Sequence, residues 1–223
     1  MDPAKHKIYH VDGLHSRTFL DTYCSNKPET TFEEGGLNVI IEELHYFFKF
    51  ANIKGGTLID ISFGPIIYHL YSACEYFKEM ILLSNQLEMK ALKLKAKVKH
   101  VLKCYIDREN ITDPLELPQA DCLLVTHILG SISKDENDYI SNLKKFAKLI
   151  KPGGQLLIFG SLNGTYYMVG EDKFFTFTYD ENFMRKAIEE AGFVINHCQV
   201  HPRKAKNSLA DYKAIIFISA CKN

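Results

Sequence analysis

The feature of this sequence that most constrains its fold is an alternation of strand-like and helix-like segments from Gly56 to the C-terminus. Such alternation predicts a parallel sheet with crossover helices, because neighbouring parallel strands need long connections. The predicted strands are TLIDI, EMILLS, ADCLLVTHIL, QLLIFGSL, VINHCQV and AIIFISAC. We therefore expect an α/β fold with a doubly wound, mostly parallel sheet that ends on two adjacent strands, one of them antiparallel.

Helical spacing marks the segments before and between these strands. GGLNVIIEELHYFFKFANI carries apolar residues three and four positions apart, and HSRTFLDTYCSN predicts a shorter helix upstream. Further helices are predicted in DENDYISNLKKFAKLI, in NFMRKAIEEAGF, and after TLIDI, where Pro65 suits a first helical turn. We interpret residues 1–223 as one domain, with a helical cap over 1–50 and an α/β core over 56–223.

The segment LEMKALKLKAKVKHVLK permits two interpretations. Its apolar spacing favours a strongly basic helix, although the apolar face is imperfect. KHVLKCYI also suits a short third strand near Val101 to Cys104. The basic stretch from Lys90 to Lys103 favours a solvated face over a nucleic-acid contact, because no aromatic residues interleave with the lysines.

Charge and cysteine content exclude several classes of function. Lys+Arg and Asp+Glu both number 27, so no net charge attracts nucleic acid or a membrane surface. The six cysteines stand singly, and the histidines, including His69 and His127, show no metal-ligand spacing, which favours reduced thiols over a disulfide framework or a zinc site. No apolar run approaches the ~18 residues of a membrane span, and the N-terminus lacks the apolar centre of a signal peptide. We expect a cytoplasmic monomer with a small-molecule partner, no nucleic acid, no membrane and no metal.

The first candidate for ligand binding is the loop in TLIDISFGPIIYHLY, after the first predicted strand. Ligands of doubly wound sheets bind beyond the carboxyl ends of the strands. A glycine in this loop permits close approach of the backbone, free amides at a helix start attract a carboxylate or phosphate, and Asp60 can accept a hydrogen bond from an ammonium group. From these residues alone, an ordinary strand-to-helix turn with Asp60 as a cap is an equally good interpretation.

The second candidate lies at the end of the second predicted strand, in ILLSNQ. An acid at this place commonly accepts hydrogen bonds from both ribose hydroxyls of a bound nucleoside. Ser84 and Asn85 occupy the place here. They can hydrogen-bond a ribose, but without the additional strength that a charged partner gives.

The third candidate is NGTYYMVGEDKFFTFTYD, which is rich in aromatic residues. With VGED as its turn, it predicts a hairpin laid over the open end of the sheet. Its aromatic side chains can enclose and orient a flat amine. A hairpin that only covers the edge of the core is the alternative.

Several long phrases of the sequence closely resemble one family, the nicotinamide, indolethylamine and phenylethanolamine N-methyltransferases. These phrases are TLIDISFGPIIYHLYSACEYFKEMILLS, VKHVLKC, LPQADCLLVTHIL, FAKLIKPGGQLLIFGSL and TYYMVGEDKFF. The resemblance runs from about His15 to near the C-terminus and is nearest to the nicotinamide and indolethylamine branch. It implies a class I methyltransferase fold, which is Rossmann-like, with S-adenosylmethionine as methyl donor and a small pyridine or arylalkylamine as acceptor.

The resemblance also assigns expected roles to individual residues. No catalytic acid or base is expected, since methyl transfer depends on positioning. Tyr167 matches a residue of the acceptor-side hairpin. The positions that match donor-binding residues of the family are Tyr23, Asp60, Ser62, Gly64, Tyr68, Ser84 and Thr126.

The sequence departs from the family pattern mainly on the donor side. Ser62 stands in place of a glycine, Phe63 in place of a serine, and Ser84 in place of the ribose-binding acid. A segment that walls the adenosine in the family is missing between the second strand and VKHVLKC. These departures leave open a methyltransferase-like protein of impaired activity, or a shortened splice form, that acts as a binding or regulatory module. The remaining departures replace two tyrosines, an acid and an acceptor-binding aspartate, at Phe19, Cys24, Tyr105 and Gly160.

Overall fold

The computed structural model describes residues 16–23, 36–51, 53–62, 67–84, 96–204 and 207–223. Its strands are β1 Gly55–Ser62, β2 Phe77–Leu83, β3 Val98–Leu102, β4 Ala120–Thr126, β5 Ile150–Leu162, β6 Tyr166–Val169, β7 Asp172–Phe175, β8 Phe193–Pro202 and β9 Ala214–Lys222. Its helices are α1 Ser16–Tyr23, α2 Gly36–Phe50, a 3-10 helix Tyr68–Glu75, α3 Ile128–Ile132, α4 Glu136–Ala147 and α5 Glu181–Glu190.

Seven of these strands form one sheet in the order β3-β2-β1-β4-β5-β9-β8. The first five in the chain run parallel, and β9 runs antiparallel to both of its neighbours. The prediction of a doubly wound, mostly parallel sheet is confirmed. The strand order reverses between β1 and β4, where Ser62 pairs with Thr126 in the register, and Thr126 pairs in turn with Phe159 of β5.

The central strands of the sheet are buried on both faces, which explains why they are nearly continuous apolar runs. On one face Ile59, Val125 and Ile158 pack with α4 and α5. On the other face Leu58 and Leu124 pack against α2 and the 3-10 helix. The buried side of α2 consists of residues at helical spacing, as its sequence predicts, namely Ile40, Leu44, Phe47 and Phe48.

Local signals in the sequence set the ends of α4 and α5. The side chain of Asp135 accepts a hydrogen bond from the Asp138 amide, and that of Asp180 accepts one from the Phe183 amide, so both helices have side-chain N-caps. Beyond α5 the backbone of Gly192 has a φ of +91°, which suits the stop of a helix at glycine.

The hairpin predicted from the aromatic segment is confirmed as β6 and β7, with its turn at Gly170 and Glu171.

The strand that follows β2 corrects one of the two interpretations of the basic segment. Residues 98–102 form β3, not part of a helix, because Val98, Val101 and Leu102 pair with β2. Pairing with a neighbouring strand here outweighs the helical spacing of the sequence.

Another difference follows β1, where the helix that the structure describes is a 3-10 helix. Among the described residues, no helix is both long and apolar enough to cross a membrane. The described part of the chain also contains no group of three histidine, cysteine, aspartate or glutamate residues arranged to hold a metal ion. Predictions that concern the following residues lie outside the described residues: Cys24, Phe63, Gly64, Pro65 and Asn85.

Candidate active site

A cavity of about 190 Å³ lies at the carboxyl ends of β1, β4 and β5. Ser62, Thr126 and Ser161 contribute to its lining from these three strand ends. They meet there because the parallel register brings the end of β1 beside the end of β4, and β4 beside β5. This is the place where doubly wound sheets bind their ligands.

Aromatic side chains form much of the remaining wall. Tyr167 of the hairpin stacks on Phe174, with 5.2 Å between the ring centroids. Tyr23 of α1 donates a hydrogen bond from its hydroxyl to the Met168 carbonyl at 2.7 Å, so α1 is held against the hairpin. Burial raises the pKa of the Tyr23 hydroxyl well above its ordinary value, which keeps this donor protonated. The aromatic residues that line the cavity are Phe19, Tyr23, Tyr166, Tyr167, Tyr179 and Tyr212.

Beneath the cavity, Asp60 forms a compact cluster with Ser62 and His69, which we call the Asp60 cluster. Asp60 is 1% exposed, and the Ser62 hydroxyl donates to its Oδ1 atom at 2.5 Å. The Nε2 atom of His69 lies 3.1 Å from that same oxygen and 3.1 Å from the Ser62 oxygen. A buried carboxyl group requires such polar partners. Ser62 and His69 therefore supply from within the protein the contacts that Asp60 needs.

His127 is held in an uncommon conformation between β4 and α3. Its φ of +53° lies in the left-handed region, which histidine enters more readily than most residues. Its amide donates to the Phe159 carbonyl at 3.1 Å, and its Nδ1 atom lies 3.0 Å from the Ser161 hydroxyl oxygen. Burial, together with the nearby His69, lowers the pKa of His127 to about 4. The imidazole in the cavity wall is therefore neutral at pH 7.

Thr126 brings an unsatisfied group to the same wall. Its side chain is 6% exposed, and its hydroxyl oxygen has no hydrogen-bond partner among the described residues. A buried hydroxyl without a partner costs free energy unless a ligand or water supplies the bond. The position of Thr126 in the cavity wall is consistent with a polar ligand group at this point.

Four of the predicted site residues come together around the cavity, namely Tyr23, Ser62, Thr126 and Tyr167. Asp60 joins them through its contact with Ser62.

The structure places three other residues of interest away from this cavity. Tyr68 is 48% exposed and stacks on Tyr71. Ser84 follows β2, where its amide donates to the Leu102 carbonyl at 2.9 Å. Tyr105 lies under the Arg108 guanidinium, 4.1 Å from the ring centroid.

The wall also contains residues that the sequence did not single out as site residues, among them His69, His127, Ser161 and Tyr212. His127 and Ser161 could have been found from the strand ends. His127 lies one residue beyond Thr126 of β4, and Ser161 lies two residues beyond Phe159, the register partner of Thr126 on β5. His69 gives no such signal, since its contact with Asp60 depends on the path of the chain through the 3-10 helix.

Comparison with known sequences decides the family. The sequence matches the model of the NNMT/PNMT/TEMT family over residues 4–86 and 83–223. The chain belongs to this family. Nicotinamide N-methyltransferase from Homo sapiens is 29% identical over 252 residues, covering 97% of this chain and 96% of that protein. Indolethylamine N-methyltransferase from Oryctolagus cuniculus is 31% identical over 242 residues, covering 92% of each.

The family comparison also agrees with a shortened segment in this chain. The alignment with the human relative runs over 252 residues, more than the 223 of this chain, so the relative has residues without a counterpart here. The two segments that match the family model meet at residues 83–86, directly after β2. This is where the sequence predicts the missing adenosine-side segment.

Solved structures support the same fold. The 1,6-didemethyltoxoflavin-N1-methyltransferase of Burkholderia thailandensis, with bound S-adenosylhomocysteine, has a TM-score of 0.65 at 14% identity, covering 100% of this chain and 91% of that one. N-methyltransferase NodS from Bradyrhizobium japonicum has a TM-score of 0.62 at 8% identity, covering 93% and 97%. The fold is that of class I methyltransferases, which confirms the Rossmann-like prediction.

Proposed function

We propose that this protein transfers a methyl group from S-adenosylmethionine to the nitrogen of a small pyridine or arylalkylamine. The observation that carries the proposal is the aromatic-walled cavity at the carboxyl ends of β1, β4 and β5. Family membership supports the reaction class, since the relatives are named for N-methyl transfer to such acceptors. No comparison favours the alternative of a binding module without activity.

The residues around the cavity suit the donor at one point in particular. Thr126 presents a buried hydroxyl oxygen without a partner among the described residues, at the end of the strand beside β1. This hydroxyl would bind the methionine part of the donor, next to Ser62 and Asp60, and Ser84 would contact the ribose from the end of β2. By resemblance, Tyr23, Gly64 and Tyr68 would complete the donor site.

The chemistry of the transfer asks for alignment more than for acid–base catalysis. When bound, S-adenosylmethionine supplies a sulfonium methyl group, whose S–C bond breaks as the N–C bond forms and whose positive charge passes to the acceptor nitrogen. A pyridine nitrogen has no proton to lose, so its methylation needs no base. The aromatic wall, including Tyr167 and Tyr23, would orient the flat acceptor and exclude water.

The proposal extends to the state of the protein in the cell. We expect a cytoplasmic monomer of one domain, with its helical cap over 1–50, that binds neither nucleic acid nor membranes. The equal numbers of basic and acidic residues, 27 each, support the expectation that it binds neither nucleic acid nor membranes.

Calorimetric titration tests the donor site directly. S-adenosylmethionine and S-adenosylhomocysteine should both bind, whereas ATP, as a nucleotide control without the methionine part, should give no heat. Ligand added to about millimolar, the weak end of useful affinities, without heat or thermal stabilisation would contradict the proposal.

A further inference from the structure

We infer that His127, oriented by Ser161, is the hydrogen-bonding group that recognises the acceptor, and that the site selects an uncharged aromatic acceptor with a polar substituent. This inference rests on the proposed function and deepens it. It assigns the choice of acceptor to two residues: His127, which directly follows β4, and Ser161, which lies near the end of β5. The inference concerns recognition of the acceptor and gives His127 no role in proton transfer.

His127 is fixed in the cavity wall by its backbone and by Ser161. Its left-handed backbone, with φ of +53°, turns the chain from β4 into α3 at the cavity wall. Residues other than glycine in this region cost conformational energy, and such residues often occur at functional sites. The hydrogen bond from its amide to Phe159 fixes the backbone, and the contact with Ser161 fixes the ring. The imidazole is therefore positioned before any ligand binds.

A position that, by resemblance, binds the acceptor in the nicotinamide branch has no room for that side chain in this protein. By resemblance, that branch has an aspartate at the position of Gly160. A Cβ atom on Gly160 would lie 2.6 Å from the Tyr179 hydroxyl oxygen and 3.2 Å from the Met184 sulfur. The Tyr179 hydroxyl is fixed in turn, because it accepts a hydrogen bond from the Ser161 amide at 3.2 Å. An aspartate cannot enter without displacing Tyr179, so polar recognition must come from elsewhere in the wall.

The His127–Ser161 pair can adapt to either kind of polar group. A hydroxyl both donates and accepts, so Ser161 can pair with Nδ1 whether or not this nitrogen carries the proton. When Ser161 donates to Nδ1, the Nε2 atom carries a proton and can donate to a carbonyl oxygen. When Nδ1 donates to Ser161, Nε2 can accept from an N–H group. A carboxamide, which offers both groups, suits this pair.

The described lining of the cavity carries no formally charged side chain. No aspartate, glutamate, lysine or arginine is found among the described residues that line the cavity. The nearest carboxyl group in the Asp60 cluster already has Ser62 and His69 as partners. A charged ammonium or carboxylate on the acceptor, held beside His127 and Ser161, would lose its hydration without gaining an opposite charge, which is unfavourable. The charged methionine part of the donor would lie on the other side of the cavity, next to Asp60. The described wall therefore favours an uncharged acceptor.

The test measures binding of three aromatic probes to the full chain by calorimetry, without donor: nicotinamide, which is uncharged, tryptamine, which is a cation at pH 7, and nicotinate, which is an anion. We expect nicotinamide to bind best. His127→Leu should weaken nicotinamide binding about tenfold by removing its hydrogen bond, with Ser161→Ala weakening it less. His100→Leu, a matched change on the exposed edge strand β3, should leave binding unchanged.

The outcomes separate recognition from a purely structural role. If His127 matters only for folding, His127→Leu will lower the melting temperature while its nicotinamide affinity stays that of the wild type, and the inference is overturned. If the leucine variant does not fold, unchanged nicotinamide affinity of Ser161→Ala overturns the inference in its place. Stronger binding of tryptamine or nicotinate than of nicotinamide also overturns it. Failure of S-adenosylhomocysteine to bind would overturn the proposed function instead, because the acceptor titrations need no donor.

Discussion

The proposed donor side and the proposed acceptor side of this molecule differ in how completely the described residues form a site. At the ends of β4 and β5, Ser161 contacts both His127 and Tyr179, and Tyr166 and Tyr167 of the hairpin line the same cavity. At the ends of β1 and β2, Ser62 contacts Asp60 and His69, and Ser84 lies away from the cavity. The acceptor side is thus the more fully formed of the two.

This difference shows how one fold can vary its two halves separately. The proposed acceptor side is built from side chains, so on this account its recognition can change by exchange of residues such as Gly160 and His127. The donor side depends on a turn where, by resemblance, the family has glycine, and an added side chain there has direct consequences for a ligand. Ser62 uses its hydroxyl to satisfy Asp60 instead.

The largest expected effect is on the acceptor side, from Gly160→Asp. The new Cβ would meet the Tyr179 hydroxyl at 2.6 Å, and its carboxylate would be buried near Met184, so we expect a loss of about 3 kcal/mol of unfolding free energy. Urea denaturation checks the value. In a double-mutant cycle of Gly160→Ala with Tyr179→Phe, removal of the hydroxyl should recover part of the cost of the alanine. Additive effects would contradict the clash.

The next effect is a pH dependence that arises from His127. Its pKa is about 4 in the folded protein, where burial is the main cause, and about 6.5 in the unfolded chain. The unfolded chain therefore binds the proton first, and the stability contributed by neutral His127 is complete above about pH 6.5 and is lost as pH falls towards 4. Because His127 is only partly buried, we expect a slope of roughly 1 kcal/mol per pH unit at most.

Urea denaturation between these two pKa values, compared with His127→Leu, isolates the contribution of this residue from the other histidines. Wild type should lose stability relative to the variant as the solution becomes more acidic. Parallel curves for the two proteins would show that His127 titrates normally.

A smaller effect is expected on the donor side from Ser84→Asp. By resemblance this position contacts the ribose, where a carboxylate forms stronger hydrogen bonds than a hydroxyl. We expect S-adenosylhomocysteine to bind roughly tenfold more tightly. His100→Asp, which adds one acid on the exposed edge strand β3, serves as the control for general charge. Equal affinities of wild type and Ser84→Asp would mean that Ser84 does not face the ribose.

The smallest effect on folding is expected from Thr126→Val. The substitution removes a buried hydroxyl without a partner among the described residues, so stability should stay within about 1 kcal/mol of wild type or rise. Donor affinity should fall, because the hydroxyl is the proposed contact to the methionine part. Thermal melting with and without S-adenosylhomocysteine separates these two effects. A clear loss of stability in the ligand-free protein would contradict the assignment of Thr126 as an unsatisfied group.

Much of the fold could be predicted from the sequence, because its signals are local. Buried runs such as LLIF predict central strands, and the spacing of apolar residues predicts α2. β3 is the exception, since Val98–Leu102 forms a strand only through its pairing with β2. Such pairing cannot be derived from the segment itself.

The site could be predicted only in part, and for a physical reason. The loop with Asp60 and Ser62 follows from the rule that ligands bind at strand ends. Tyr23, Thr126 and Tyr167 are assigned to the site through the resemblance. The sequence offers His69 and His127 only as possible metal ligands, a role that their spacing excludes. Their contacts depend on a 3-10 helix and on a left-handed backbone, which no periodic pattern in the sequence indicates.

Transfer of an isotopically labelled methyl group tests the central claim most directly. The protein would be incubated with S-adenosylmethionine that carries a deuterated methyl group, together with a panel of pyridines and arylalkylamines, and the products would be identified by mass spectrometry. We predict that the label appears on the nitrogen of an acceptor, with uncharged pyridines preferred. Binding of the donor without labelled product from any member of the panel would contradict the account.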